Sequence, residues 1–434
     1  MKRYRKILII AATITVLSGN AAFAQREGDA IKTHSPYTLY GIGDMYRMGS
    51  IANRAMGGIN YGVRDQMGIN SYNPAALSVQ DSLVVFLDFA VGSKNTYSAS
   101  ATTKTSANTF YFDYVDFSLR IARNLTVNVG MSPVSDIGYD IVRKETDPEL
   151  IFQYGDTQYS YAGEGGINQI HWGVGYKLFT KFSIGVNMNY YFGSINRYHA
   201  TEFLTTSTFS SIYSDSKTKI SKIGFTFGAQ FHSRLNPTTF LTVGAIYQPK
   251  TVLPTKKETT VITMNDISSD TAQYVSTKVD DIFMPETMGI GFTLRKDKLI
   301  IGADYTYQDW SKFNFGGTSN AFTFEAGKSH IYNFGLEYTP KITNLKNNYL
   351  RWNYRAGLRY AETFMVCNGH KINEKSIFVG VGIPLARRLG SKINAAIEIG
   401  QRGTTKNGLI KETFVAFSAG INIFELWFQK FQFN

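Results

Sequence analysis

The chain has 434 residues, of which 18% are charged and 43% are hydrophobic, and a formal net charge of +12. Its single cysteine, Cys367, excludes an internal disulfide and a cysteine-rich metal site. The Lys and Arg residues are scattered, without the basic runs typical of a nucleic-acid-binding surface, so we expect no nucleic-acid partner.

The first 24 residues have the pattern of a secretory signal peptide. Basic residues at the start are followed by an apolar run from Ile7 to Leu17 and by the small-residue pattern Ala22-Phe23-Ala24. The apolar run is shorter than the ~18 to 20 residues that a membrane helix needs. We therefore predict cleavage before Gln25. Since no later apolar stretch is long enough for a membrane helix, a membrane-spanning form of this chain would be a closed barrel.

Residues 25–82 lack a regular period and are rich in glycine, which indicates a compact insert of loops and short helical turns. From Leu83 onward the period changes to two. In residues 181–193, for example, the even positions from Phe182 to Phe192 are all apolar or aromatic, and the odd positions are mostly small or polar. The chain also contains 27 Tyr, 31 Phe and 39 Gly, a composition typical of β structure rich in aromatic residues.

Fourteen segments carry this alternation, an even number of about the length that tilted membrane strands need. They are residues 83–93, 108–121, 124–134, 166–179, 181–195, 219–233, 238–249, 284–295, 298–310, 329–339, 349–362, 375–386, 391–401 and 411–424. Short turns and longer polar connections alternate between them, which is typical of outer-membrane barrels with their short turns in the periplasm. The two longest outer connections, 135–165 and 250–283, are expected to contain strand of their own.

A soluble β-sandwich is the structural alternative, because it also alternates polar and apolar faces. A sandwich must fill a shared core with one face of each sheet. Here the polar faces carry ionisable residues such as Asp304, Glu337 and Glu398, whereas the opposite faces are almost wholly apolar over 14 strands. We therefore predict an all-β fold: a 14-stranded antiparallel transmembrane β-barrel over residues 83–424, with an N-terminal plug, or hatch, inside its lumen.

Signals for enzymatic chemistry are weak. Gly327-Lys328-Ser329 matches the end of a P-loop, but the required first glycine is replaced by Phe322. The six histidines show no zinc-type spacing, and we predict no catalytic residue, metal or cofactor. Gly173-Val174-Gly175 and Gly380-Val381-Gly382 fall within strands, with glycines on the lumen face that make room for a plug or ligand or allow bending.

Arg351, Arg355 and Arg359 recur every four residues and would share one lumen wall, about 13 Å apart along a strand. This candidate basic wall would attract a carboxylate. The alternative is pairing with acids that face the lumen, such as Asp304, Glu337 or Glu398, or with Asp65 of the plug.

Met56-Gly57-Gly58 and Asn73-Pro74-Ala75, just before the first strand, resemble the N-terminal hatch of FadL-like outer-membrane proteins, the long-chain fatty acid transporter family. The resemblance implies a Gram-negative outer-membrane barrel that takes up hydrophobic molecules passively past its hatch, with outer-membrane lipid around a monomeric barrel. Only Asn73, Pro74 and Ala75 can be matched residue by residue to the hatch motif of that family. The sequence departs from barrel proteins that end on an aromatic residue, because the aromatic, basic tail 425–434 follows the last strand.

A second role stays open, since some FadL-like barrels serve protein secretion or surface attachment. The partner would then be a periplasmic or secreted protein. Both termini are expected in the periplasm.

Overall fold

The computed structural model describes residues 34–39, 41–81, 84–205, 209–264, 269–313, 324–341, 347–385 and 390–426. The predicted signal peptide, residues 1–24, lies outside the described residues, as does the C-terminal tail beyond Leu426. Among the residues described, no helix is both long enough and apolar enough to span a membrane.

Within the described ranges, eighteen strands join in one sheet in which neighbouring strands run antiparallel. They are β1 (Asp44–Met45), β2 (Val84–Ala99), β3 (Lys104–Ala122), β4 (Leu125–Lys144), β5 (Thr157–Lys177), β6 (Phe182–Phe203), β7 (Ser211–Asn236), β8 (Thr239–Gln248), β9 (Thr251–Met264), β10 (Ser269–Met284), β11 (Glu286–Lys296), β12 (Leu299–Asp309), β13 (Phe324–Ala326), β14 (Lys328–Tyr338), β15 (Asn353–Cys367), β16 (His370–Pro384), β17 (Lys392–Arg402) and β18 (Lys411–Leu426). The short helices are Pro36–Leu39, Ile51–Arg54, Pro74–Val79, Pro148–Tyr154, Asn348–Arg351 and Lys406–Gly408.

Fourteen of these strands form a closed barrel: β2 to β8, β11, β12 and β14 to β18. The last strand pairs with the first along its whole length, from Lys411 opposite Ala99 to Leu426 opposite Val84. The predicted 14-stranded antiparallel barrel is therefore confirmed. Closure leaves no free edge between the first and last strands, as a barrel in hydrocarbon requires.

The burial pattern is the inverse of that of a soluble protein. Apolar residues on the outward face are widely exposed, for example Ile290 at 55% and Ile377 at 59%. Polar and ionisable residues on the inward face are buried, for example Gln230 at 1% and Glu398 at 8%. This arrangement suits lipid outside and a polar filling inside, and it excludes the soluble sandwich.

The strands extend further than the alternation predicted. β7 runs from Ser211 to Asn236, whereas the predicted strand covered 219–233. Both long connections contain strand, as expected: β4 and β5 continue into 135–165, and β9 and β10 form a hairpin within 250–283. We call the end of the barrel that carries this hairpin the loop end, and the opposite end, with turns such as Asp297-Lys298, the turn end. The outward face of β7 becomes polar toward the loop end, as at Asp215 and Lys217, so the apolar alternation ends before the strand does.

The described chain begins at the loop end. Ser35 donates a hydrogen bond to Glu412 at the start of β18, and its backbone N–H bonds to the Gly138 carbonyl on β4. The residues before 34 lie outside the described ranges, so the periplasmic location of the N-terminus stays a prediction. β18 runs toward the turn end, where the described chain stops at Leu426.

Candidate functional site

Residues 34–81, called here the N-terminal segment, contact the inward faces of strands on several sides of the barrel. Asn53 and Arg54 belong to a single helical turn, Ile51–Arg54, whose first turn is capped by the Ser50 side chain. The backbone N–H groups of Asn60 and Tyr61 donate to the Asp304 carboxylate on β12, at 2.5 and 2.9 Å. The segment is thus bound to the wall by backbone as well as side-chain groups.

Asn73 is fully buried and connects three parts of the molecule. Its Oδ1 accepts from the Ala75 N–H at 3.2 Å, which caps the short helix Pro74–Val79. Its amide nitrogen donates to the carbonyl of Tyr61 at 2.9 Å and to that of Ala229 on β7 at 3.3 Å. The predicted hatch motif therefore lies where the segment meets the wall, and its gating role stays a prediction.

Three glycines in register on adjacent strands make room for this motif. Gly175 on β5 lies opposite Gly185 on β6, which lies opposite Gly228 on β7. A Cβ atom at Gly175 would lie 2.6 Å from the Pro74 carbonyl oxygen, and one at Gly228 would lie 2.8 Å from the Pro74 ring. Only glycine allows so close an approach of the two backbones. Gly175 therefore makes room for the segment, as the sequence predicted for lumen-facing glycines.

A second glycine row faces the Met56-Gly57-Gly58 motif from β12, β14 and β15. Gly302 pairs with Gly335, and Gly335 pairs with Gly357. A Cβ at Gly335 would lie 2.7 Å from the Met56 Cβ. The two motifs named by the sequence resemblance thus rest on two glycine rows in different parts of the wall.

Arg402 forms a buried ionic cluster at the loop end of the lumen. Its guanidinium contacts the Asp44 carboxylate at 2.6 Å and the Glu412 carboxylate at 2.6 Å, and it donates to the Ser35 hydroxyl at 2.8 Å. Burial would raise the pKa of the Asp44 carboxyl, but the nearby cations, above all Arg402 and also Lys94 and Arg47, together outweigh burial and hold that pKa at about 2. The cluster connects the start of the segment to β17 and β18.

Two arginines of the segment itself, Arg47 and Arg54, bind acids of the wall. Arg54 makes a bidentate pair with Asp113, both groups being buried. β3 has a bulge at Asp113, because Phe112 lies opposite Val91 and Tyr114 lies opposite the adjacent Ala90. The extra residue shifts the register, so Asp113 points inward. Arg47 contacts Glu374 at 2.7 Å and Glu398 at 2.9 Å.

Sequence reasoning missed the binding roles of Arg47, Arg54 and Arg402. Of their acidic partners, only Glu398 was found, because it shares the inward face of an alternating strand. Glu374 has the same signal on β16 and could have been found in that way. A one-residue bulge has no comparable signal in the sequence, so the inward position of Asp113 could not be predicted.

The candidate basic wall is only partly reproduced. β15 begins at Asn353, so Arg351 lies in the 3-10 turn Asn348–Arg351 and not on the strand that was predicted to carry it. Arg355 is buried and binds Glu337 at 2.7 Å and Asn394 at 2.8 Å. Arg359 lies 3.6 Å from Glu374.

One of the acids proposed as partners for this wall binds an arginine of the wall, and the others bind different groups. Glu337 binds Arg355, Asp304 accepts from backbone amides, and Glu398 binds Arg47. Asp65 accepts a hydrogen bond from the Met67 N–H. Neutralisation by nearby acids, the alternative reading, thus describes Arg355 best.

Cavities remain around the segment. One of about 250 Å³ is lined at the turn end by Arg64, Arg295 and Lys392 together with apolar side chains such as Ile69 and Phe240. Two others, of about 110 and 70 Å³, lie nearer the middle of the lumen and have mixed polar and apolar linings. Each is below the ~300 Å³ at which pockets for drug-sized ligands begin.

Toward the loop end the filling of the lumen becomes apolar. The Trp310 and Phe364 rings stack with centroids 4.4 Å apart, and the Phe283 and Phe313 rings lie 5.1 Å apart. We call the whole set the apolar cluster: Tyr37, Ile42, Val134, Ile137, Tyr139, Ile167, Tyr191, Ile195, Ile220, Leu253, Phe283, Met284, Trp310, Phe313, Phe364, Met365, Cys367, Ile372 and Leu409. The described lumen is therefore mainly polar and ionic at the middle, whereas its loop end holds the apolar cluster next to the ionic cluster of Arg402.

The closed 14-stranded wall, the apolar exterior and the polar, filled interior define a β-barrel of the outer-membrane type. The family is shown by sequence: the BamG family model matches residues 4–434, so the chain belongs to the BamG family. No curated protein matches the sequence.

Solved structures share the fold at low sequence identity. The Ralstonia pickettii toluene transporter TbuX has a TM-score of 0.60 at 18% identity, with 87% of this chain and 98% of TbuX covered. The Pseudomonas putida toluene transporter TodX has a TM-score of 0.59 at 15% identity, covering 89% and 100%. A Pseudomonas aeruginosa FadL homologue has a TM-score of 0.54 at 12% identity, covering 89% and 100%. The predicted FadL-like resemblance is confirmed for the fold.

Proposed function

We propose that this protein is an outer-membrane channel for passive uptake of hydrophobic small molecules, such as long-chain fatty acids, gated by the N-terminal segment as a hatch. The apolar cluster carries the proposal, because it offers an apolar environment at the loop end, which we place at the cell exterior. The short turns and the C-terminus then face the periplasm. The fold neighbours TbuX and TodX are toluene transporters, which supports the proposal of a channel for hydrophobic small molecules.

The apolar cluster would receive the substrate after its rings move apart. Replacing the buried Phe364 by Ser removes the ring that stacks on Trp310, so we expect several-fold slower uptake of a labelled fatty acid into proteoliposomes. Phe152→Ser is the matched control, since that ring is 95% exposed on the helix Pro148–Tyr154. Equal uptake by both variants, with both barrels assembled, would contradict capture at the cluster.

Asn73 is the best point at which to test gating. Asn73→Ala removes the cap on Ala75 and the bonds to Tyr61 and Ala229, and a lost cap costs ~1 kcal/mol. We expect increased entry of small polar antibiotics, measured as a lower inhibitory concentration, while the barrel keeps its heat-modifiable migration on a gel. Asn407→Ala, at an exposed residue, should change neither property. Unchanged permeability in Asn73→Ala would reduce the motif to a structural turn.

A second function, a binding or assembly role in protein secretion or surface attachment, is favoured by a different observation. The cavities around the segment are small and partly charged, and three buried or half-buried arginines of the segment and wall hold the filling in place. A barrel that stays filled would act as a scaffold. Co-purification of a stoichiometric protein partner, together with no uptake of fatty acid by the intact protein, would support this role over transport.

A further inference from the structure

Three lysines lie side by side on the outer face of the sheet near the loop end, one on the wall strand β7 and two on the hairpin strands β9 and β10. Lys219 on β7 lies directly opposite Lys256 on β9, and Lys256 lies directly opposite Lys278 on β10. All three are exposed. Since directly opposite residues in antiparallel strands have Cβ atoms only ~5 Å apart and share a face, the three ammonium groups form one row. We call these residues the lysine row.

Like charges directly opposite one another destabilise a sheet unless something compensates for them. Glu258 is the described acid closest to the row, 2.6 Å from the Lys256 ammonium and 3.8 Å from that of Lys219. The register also places Lys217 directly opposite Glu258, which adds a fourth lysine beside this single carboxylate. Lys278 has no acidic partner among the described side chains. Among the described side chains, the patch therefore keeps an excess of positive charge.

The row lies just beyond the lipid-facing belt of the same strand. The outward face of β7 reads Phe227, Phe225, Ile223, Ser221 and Lys219, and its apolar members are 43% to 48% exposed. The distance along the strand from Ile223 to Lys219 is ~14 Å, which corresponds to ~10 Å along the membrane normal for a strand tilt of about 40°. The next acid along this face of β7 is Asp215, still further from the belt. The lysine row is therefore level with lipid head groups.

We infer that the lysine row binds the phosphate groups of anionic lipid head groups in the leaflet at the loop end. Basic clusters beside a membrane surface attract anionic lipids. The alkyl stems of lysine can follow the apolar wall while the ammonium groups reach the phosphates. The inference rests on the membrane placement proposed above, but not on whether the barrel transports a substrate or binds a protein.

The test uses the full-length barrel, purified in detergent, and native mass spectrometry of retained phosphatidylglycerol or phosphatidylcholine. Wild-type protein should retain the anionic lipid preferentially. The variant K219Q/K256Q/K278Q should retain it about tenfold less, with retention of phosphatidylcholine unchanged. Glu258→Gln should have the opposite effect, because it removes the carboxylate that competes for Lys256.

The matched control is K104Q/K144Q/K406Q, which removes three exposed lysines from separate places on the same protein. It should retain the anionic lipid like wild type. Added inorganic phosphate distinguishes a lipid site from a free phosphate site, because only the latter would bind it without lipid. Equal loss in both triple variants, or no preference for anionic lipid in wild type, would overturn the inference. The wild-type measurement decides the question even where a variant fails to assemble.

Discussion

Deleting residues 25–81 is expected to open a continuous water-filled pore through the barrel. The wall closes through β2 and β18 without these residues, whereas the segment occupies the part of the lumen between the two glycine rows. Their removal exposes inward-facing polar groups such as Asp304 and Gln230 to water, which can hydrate them, so the wall should remain assembled. The conductance of single barrels in a planar bilayer should rise from near zero to that of an open pore.

The control for the deletion is a measurement that the barrel wall is still assembled. Heat-modifiable migration and the same β-type circular dichroism in both forms would show that the barrel is intact. Labelled fatty acid entry into proteoliposomes should rise together with conductance. A deletion form that is assembled yet does not conduct would contradict the role of the segment as a hatch, and an absence of uptake in both forms would exclude the channel.

Replacing Arg402 by Met should detach the beginning of the segment from the wall. The change leaves the buried Glu412 carboxylate and the partly buried Asp44 carboxylate without their shared cation. Such a loss costs ~3–5 kcal/mol for a buried pair. We expect residues 34–48 to exchange their amide hydrogens much faster and to become sensitive to protease. The effect should be local, because most wall hydrogen bonds do not involve Arg402.

Arg143→Met is a suitable comparison, because Arg143 is exposed near the end of β4. It should leave the exchange of residues 34–48 unchanged. Restoring charge balance offers a second check: Arg402→Met combined with Glu412→Gln should recover part of the protection, since one uncompensated carboxylate is removed. Faster exchange spread over the whole wall would instead indicate that Arg402 stabilises the barrel as a whole.

The barrel could be predicted from sequence because its physical cause is local. Each strand meets lipid on one face, so alternation marks it residue by residue, and all 14 predicted segments overlap a wall strand. The same reasoning underestimated β7 toward the loop end, where its outward face becomes polar, as at Asp215 and Lys217, and the apolar alternation ends. Arg351 was misplaced for a related reason: the period of four continued through the sequence, although the strand begins only at Asn353.

The ionic filling could not be predicted because its partners are far apart in the chain. Arg54 and Asp113 meet only because a bulge turns the aspartate inward, and Arg402 meets Asp44 across 358 positions. The inward-facing glycines were easier to interpret from the sequence than the ionic pairs. Gly175 was placed on the lumen face as a residue that makes room, although the sequence could not show that Pro74 occupies that space.

The two glycine rows also restrict the order in which the molecule can be assembled. The segment precedes the first wall strand, yet it contacts both β5 to β7 and the much later β12, β14 and β15. It must therefore remain within the curling sheet until those later strands arrive, and pairing of β18 with β2 then encloses it. Contacts of such long sequence separation make folding slow. A substitution such as Gly335→Leu should accordingly delay membrane assembly more than it weakens the finished barrel.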